Sequence, residues 1–189
     1  CLGLKRVYKN DQSVLDGLVC ISSPLDLERC SASIERQRNS IYQHWLLQRL
    51  VRQTLADPFG ISDFERNLLI ARNRYNLRRI NSIRSFDALI TAPRWGFNDV
   101  DDYYRKASPV NSLLENSSYM PKTFFIQALD DPWVPSDSAQ NLAKQIKAMK
   151  IASNLRVILT TNGGHNGFHG LKGCWGDLLV QKLLIMIVS

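Results

Sequence analysis

Two short segments in the C-terminal part of the chain carry residue types suited to acid–base chemistry. One is Ala128-Leu129-Asp130-Asp131-Pro132-Trp133-Val134-Pro135; the other is Thr160-Thr161-Asn162-Gly163-Gly164-His165-Asn166-Gly167-Phe168. Each follows an apolar run that reads as a strand. Glycine adopts backbone angles that a β-carbon forbids, so the second segment can turn sharply and present one imidazole at the strand's end. Imidazole changes charge near neutral pH, which suits a general base. Asp130 and Asp131 also stand at a strand end, and Pro132 and Pro135 stiffen the loop after them, as an acid that orients a histidine requires. Asp-Pro also occurs as a plain turn, because both residues favour turns. The position of His165 favours the chemical reading. It comes one helix and one strand after Asp131, so neighbouring parallel strands would bring the two loops side by side. An acid followed by a histidine, each at a strand end, makes two of the three groups of a serine-hydrolase triad.

The other histidines compete poorly for this role. His165 and His169 have a spacing that can serve zinc on a helix, but Gly167 argues against a helix here and no third ligand is evident. Neither a metal nor a cofactor is therefore expected. His44 sits in an amphipathic helical pattern and reads as an ordinary surface or packing residue. The third triad group is missing: a nucleophilic serine is usually held in G-x-S-x-G, on a strained strand-to-helix turn, and no such motif occurs in the 189 residues. Ser22-Ser23-Pro24 follows a strand but lacks the flanking glycines, and reads as a turn into the next segment. The stretch Cys1 to Lys9 could be the tail of a helix that follows a nucleophile elbow, in which case the serine lies before Cys1.

Three apolar segments would position the two loops: residues 15–22 (LDGLVCIS), 123–129 (TFFIQAL) and 155–161 (LRVILTT). Near-continuous apolarity, rather than alternation, suits strands covered on both faces, as in a parallel sheet. Between the last two, residues 136–150 place Ala139, Leu142, Ala143, Ile146 and Met149 at helical spacing, with Ser136 as N-cap and Asp137 in the first turn. Residues 173–187 read as a closing helix. The order strand, helix, strand, helix predicts a doubly wound α/β sheet. From Leu25 to Tyr104 the patterns are helical instead. Ile41, Tyr42, Trp45, Leu46, Leu50 and Val51 mark one helix ending near Asp57-Pro58, and Phe64, Leu68, Leu69 and Tyr75 continue the theme. A helical insertion over residues 25–104, between core strands, predicts a cap or lid packed with the core as one unit.

With 189 residues, 44% of them hydrophobic, the chain can bury a real core and is expected to form one domain. It opens on Cys1 rather than methionine, which predicts a processed chain or a fragment, and no secretory signal leads it. The apolar run 178–188 is broken by Gln181 and Lys182, too short and too polar to span a bilayer. Cys1, Cys20, Cys30 and Cys174 show no CxxC spacing, so free thiols in a reducing, cytoplasmic compartment are expected. The net charge of +7 is concentrated in Arg36, Arg38, Arg49 and Arg52, and in Arg66, Arg72, Arg74, Arg78, Arg79 and Arg84. Such a surface reads as a solvated helix face, with peripheral contact to an anionic membrane as the functional alternative. No RNA-binding signature, zinc knuckle or helix-turn-helix pattern accompanies it, so nucleic acid is not an expected partner.

Several pieces, in order, resemble one family. Ser23-Pro24-Leu25-Asp26-Leu27, Phe86-Asp87, Thr91-Ala92-Pro93 with Gly96-Phe97, Asp102-Tyr103-Tyr104-Arg105 and Ser108 resemble the YheT-like branch of the α/β hydrolases and the related eukaryotic esterases and lipases. Asp130-Asp131-Pro132 and Gly163-Gly164-His165-x-Gly167-Phe168 look like that family's acid and histidine motifs. The resemblance runs from about Leu15 to Phe168 and implies the C-terminal part of an α/β-hydrolase fold with a helical cap. It implies a serine carboxylesterase or lipase acting on short- to medium-chain acyl esters, acylglycerols among them, with Asp131 as triad acid, Asp130 as fallback and His165 as base. Trp45, Leu46, Trp95 and Phe97 of the cap would line an acyl pocket. The chain departs from the family at the nucleophile, which leaves a second reading open: an α/β-hydrolase-like protein without catalysis, serving as a binding or interaction module.

Overall fold

The computed structural model describes residues 15–58, 60–71, 80–148, 154–171 and 173–188. The segment Cys1 to Lys9, together with Arg72, Arg74, Tyr75, Arg78, Arg79, Met149 and Lys150, lies outside the described residues. The chain divides into two compact units, Glu28–Lys106 and the pair of segments Cys1–Leu27 and Ala107–Ser189.

The second of these units holds the sheet. Strands β1 (Gly17–Ile21), β2 (Lys122–Ala128) and β3 (Leu155–Thr160) lie in the order β1-β2-β3, and both pairings are parallel. Each begins or ends within two residues of its sequence-predicted range. In register, Val19 and Ile21 lie beside Phe124 and Ile126, while Cys20 lies beside Phe125, which in turn lies beside Val157. Successive side chains of a strand point to opposite faces, so the sheet has two apolar sides to cover.

Each side has its own helix. Phe125 and Leu155, with part-buried Cys20 and Val157, pack against Ala139, Leu142 and Ile146 of the helix Asp137–Ala148. Phe124, Ile126, Ala128 and Ile158 pack against Leu179, Leu183 and Ile187 of the C-terminal helix Trp175–Val188. This three-layer arrangement explains why β2 is buried from Thr123 to Ala128 and reads as a continuous apolar run. Ser136 occupies the N-cap position of the first helix: its carbonyl accepts the Gln140 N–H, and its hydroxyl accepts from Gln140 Nε2 at 3.0 Å. The closing helix starts at Trp175 rather than at Gly173, because Gly173–Cys174 pairs antiparallel with His169–Gly170 as a short ribbon, β5 against β4.

The unit Glu28–Lys106 is helical, in keeping with the patterns of the sequence. Its helices include α1 (Leu27–Ile34, entering from the other unit), α2 (Ser40–Leu55), α3 (Asp63–Ile70), α4 (Ile83–Phe86), α5 (Ala92–Arg94) and α6 (Val100–Ala107), with a π-helical turn, Asp87–Thr91, between α4 and α5. In chain order the helices Asp137–Ala148 and Trp175–Val188 are then α7 and α8. Leu47 and Val51 of α2, Leu68 and Leu69 of α3, and Ile80, Ile83, Phe86 and Ile90 form one apolar cluster. Ser62 and Glu65 close a capping box at the start of α3. Beside this core runs a polar group: the Tyr104 hydroxyl donates to Asp87 Oδ2 (2.8 Å) and lies 3.0 Å from Ser31 Oγ, while Thr91 donates to Asp87 Oδ1 (2.8 Å). Burial holds the Asp87 carboxyl above its usual range, against the pull of these two donors.

Candidate active site

The register of the sheet decides what meets at its edge. Ala128 of β2 pairs with Thr160 of β3, and the Leu129 N–H extends the pairing to the Thr160 carbonyl at 2.8 Å. The loops that leave these two strands therefore start side by side at the carboxyl ends, where open α/β sheets bind their ligands.

After β3 the chain folds back on itself. The Gly163 carbonyl accepts both the Gly167 and Phe168 N–H groups at 3.0 Å. Gly164 has φ +55, a left-handed angle that a β-carbon makes costly, and Asn166 takes φ 63. Phe168 holds φ 46, strained for a bulky residue. Burial offsets that strain: Phe168 is 2% exposed, and its ring meets Trp175 at the start of α8 edge-on, with centroids 5.1 Å apart. The loop is thus pinned to the core on one side of His165 and to β3 on the other.

Asp131 receives the imidazole. Its Oδ2 lies 3.1 Å from His165 Nδ1, and its side chain is fully buried, while that of His165 is 22% exposed. Oδ1 accepts the backbone N–H groups of Trp133 and Val134, each at 2.9 Å. Burial by itself would raise the Asp131 pKa; the hydrogen bond from His165 and the N–H groups of Val134 and Trp133 outweigh it and hold the carboxyl below its usual range. An ionised carboxylate only accepts, so Nδ1 carries the proton toward Asp131 and the Nε2 of a neutral ring is left with a lone pair. The indole of Trp133 stands edge-on to the imidazole, centroids 4.8 Å apart at 61°.

Asp130, the alternative acid in the sequence, does something else: its exposed carboxylate accepts the Gly164 N–H at 2.8 Å and ties the two loops together through the backbone. The sequence pattern alone does not single out Gln127 or Trp133. A lone amide inside the apolar run Phe124-Phe125-Ile126-Gln127-Ala128 was the available signal for the first. For the second, it was an aromatic ring two positions beyond the acid.

The remaining candidates have local contacts of their own. His169 is exposed in β4. His44 is exposed on α2 and accepts from Gln48 Nε2 at 2.7 Å. Trp45 is half exposed, stacked on Tyr42 and under the Arg49 guanidinium. Trp95 is 76% exposed after α5, and Phe97 packs its ring on Tyr103. These contacts are internal to the helical unit. Ser22, at the end of β1, is buried with φ 45, and its hydroxyl meets no hydrogen-bond partner among the described residues. Among the described residues no three His, Cys, Asp or Glu side chains converge as metal ligands, no disulfide joins Cys20, Cys30 and Cys174 to one another, and no helix is long and apolar enough to cross a membrane.

Parallel strands between helical layers, with an acid loop and a histidine loop adjoining at the carboxyl edge, define the class: part of an α/β-hydrolase fold. Comparison with known proteins narrows it. The chain is 34% identical over 161 residues to YheT of Escherichia coli (strain K12), whose name designates an esterase, covering 85% of this chain and 43% of that protein. It is 31% identical over 147 residues to phospholipase ABHD3 of Mus musculus (77% and 32%) and 26% identical over 168 residues to the monoacylglycerol lipase of Saccharomyces cerevisiae (85% and 34%). No family model matches the chain, and no solved structure matches it. The chain belongs to the YheT-like family of the α/β-hydrolase superfamily, a family of esterases and lipases by name. It spans under half the length of these relatives.

Proposed function

We propose that the chain is the C-terminal portion of a serine carboxylesterase or lipase, with His165 as its general base and Asp131 as the acid that orients it. The observation that carries this is the 3.1 Å approach of His165 Nδ1 to Asp131 Oδ2, with the carboxylate fully buried and the imidazole part-exposed. The names of the relatives, an esterase, a phospholipase and a monoacylglycerol lipase, support an acyl ester or lipid as substrate.

In this reading a serine that precedes Cys1 attacks the ester carbonyl while His165 Nε2 takes its proton. Asp131 stabilises the imidazolium that forms. The imidazolium then protonates the departing alcohol, leaving an acyl-serine ester, and the same nitrogen activates the water that hydrolyses it. Backbone N–H donors for the oxyanion belong, like the serine, to the preceding part of the protein.

The test uses the longer protein encoded by the natural reading frame. Turnover of p-nitrophenyl butyrate and labelling by a fluorophosphonate should depend on a serine in G-x-S-x-G upstream of Cys1, and turnover should collapse in His165→Ala. Unchanged turnover in that variant ends the assignment. The lack of G-x-S-x-G in these residues favours one rival, a non-catalytic binding module. A reading frame that starts close to Cys1 would establish that rival instead.

A further inference from the structure

Gln127 occupies a position that its strand reserves for an apolar side chain. It shares the face of Phe125, which packs toward α7, and it is 3% exposed. A buried carboxamide costs about 1–3 kcal/mol unless its groups are paired. Its Nε2 is paired unusually: it lies 3.2 Å from Asp131 Oδ2, 3.2 Å from the Ala128 carbonyl and 3.3 Å from the Val134 carbonyl. All three neighbours are acceptors, so the orientation of the amide is forced, because the reverse would set Oε1 against a carboxylate and two carbonyls.

Two consequences follow from that placement. Val134 and Asp131 bound the acid loop, so one NH2 group ties both ends of the loop to the end of β2. It also meets the same carboxylate oxygen, Oδ2, that receives the His165 ring. The Trp133 and Val134 N–H groups fix Oδ1. Gln127 fixes the direction in which Oδ2 points.

We infer that Gln127 is a positioning residue of the acid–base pair: its carboxamide anchors the Asp131–Val134 loop to β2 and aims Oδ2 at His165 Nδ1. The inference rests on the reading of Asp131 and His165 as acid and base only for its effect on turnover; the clamp itself is read in this chain. Asp130, the other charged group beside the loops, is engaged with the Gly164 N–H.

The experiment replaces Gln127 by Met and, separately, by Leu, each removing both donors without adding charge. In the 189-residue chain with 15N-labelled histidine, the proton on His165 Nδ1 should give a low-field resonance protected from exchange. That resonance should be lost in both variants while the thermal unfolding transition stays cooperative. In the longer, serine-bearing protein the same variants should lower kcat about 10- to 100-fold with KM little changed. Survival of the resonance in either folded variant overturns the inference. So does loss of cooperative folding in both, which would assign Gln127 to the core alone. If His165→Ala abolishes turnover and Gln127→Met does not, the positioning role falls and the proposed function stands. If His165→Ala leaves turnover intact, the function falls while the resonance still reports on the clamp.

Discussion

Phe168 rests on Gly176 so closely that a methyl group at position 176 would come within 2.7 Å of the Phe168 Cβ. The residue that ends the histidine loop is thereby seated on the first turn of α8, and the loop's strained backbone is held by packing. Gly176→Ala should force one of the two apart and cost about 1–3 kcal/mol. Urea unfolding should show a lower midpoint at unchanged slope. The variant should also weaken the Asp131–His165 contact, seen as faster exchange of the proton between them.

Asp131 makes the fold sensitive to acid. Its carboxyl is held below its usual range in the folded chain, so its contribution to stability is complete above the unfolded value of about 4 and is lost as pH falls through the folded one. Denaturant titrations from pH 7 downward should therefore show a steeper loss of stability below about pH 4 in the native chain than in Asp131→Asn. In the serine-bearing protein the same change should lower kcat by about 10³- to 10⁴-fold, since an amide can present the wrong hydrogen-bonding group to the ring.

Asp130 separates from Asp131 on this scale. Its carboxylate is exposed and, among the described residues, accepts a backbone N–H of the histidine loop, an interaction worth about 1 kcal/mol. Asp130→Ala should leave turnover within about tenfold of the native protein. A collapse equal to that of Asp131→Asn would mean that the two acids exchange roles.

Asp87 behaves in the opposite sense to Asp131. Its carboxyl is raised by burial, so its contribution is complete below the unfolded value and is lost as pH rises through the folded one. Asp87→Asn should therefore destabilise the chain less at pH 7 than at pH 4. Tyr104→Phe removes the donor on Asp87 Oδ2 and should cost about 1–3 kcal/mol, measured by the same unfolding titrations.

Trp133 packs against His165. The edge-on pair with His165 is worth about 0.5–1.5 kcal/mol in holding the ring. Trp133→Ala should then lower kcat/KM by about 2- to 10-fold in the serine-bearing protein, while Trp133→Phe retains most of it. Unchanged turnover in both variants would leave residue 133 only its backbone N–H to Asp131 and overturn a role for the ring.

Much of this was legible in the sequence because the signals are local. Apolar runs bounded by Pro121, the Asp-Asp-Pro turn and the glycines mark the strands, and their continuity tells that both faces are covered. Glycines around His165 announce a sharp turn whatever it packs against. The boundaries drifted where a neighbour competes: Gly173 and Cys174 pair with His169 and Gly170 before α8 begins, a choice no helical pattern reports.

The sequence by itself determined which loops carry an acid and a histidine, because strand ends and turns follow from nearest-neighbour chemistry. Only the tertiary structure decided how Asp130 and Asp131 divide their work. Adjacent aspartates look alike in a string, and the sheet register places one beneath an imidazole and the other beside a backbone N–H. It likewise brought together Asp87 with Tyr104, and Leu27 with Ser108, whose side chain accepts the Leu27 N–H at 2.9 Å across 81 positions. It alone gave Gln127 its partners. A hydrogen bond is specified to a few tenths of an ångström, and that precision comes from packing between segments far apart in the chain.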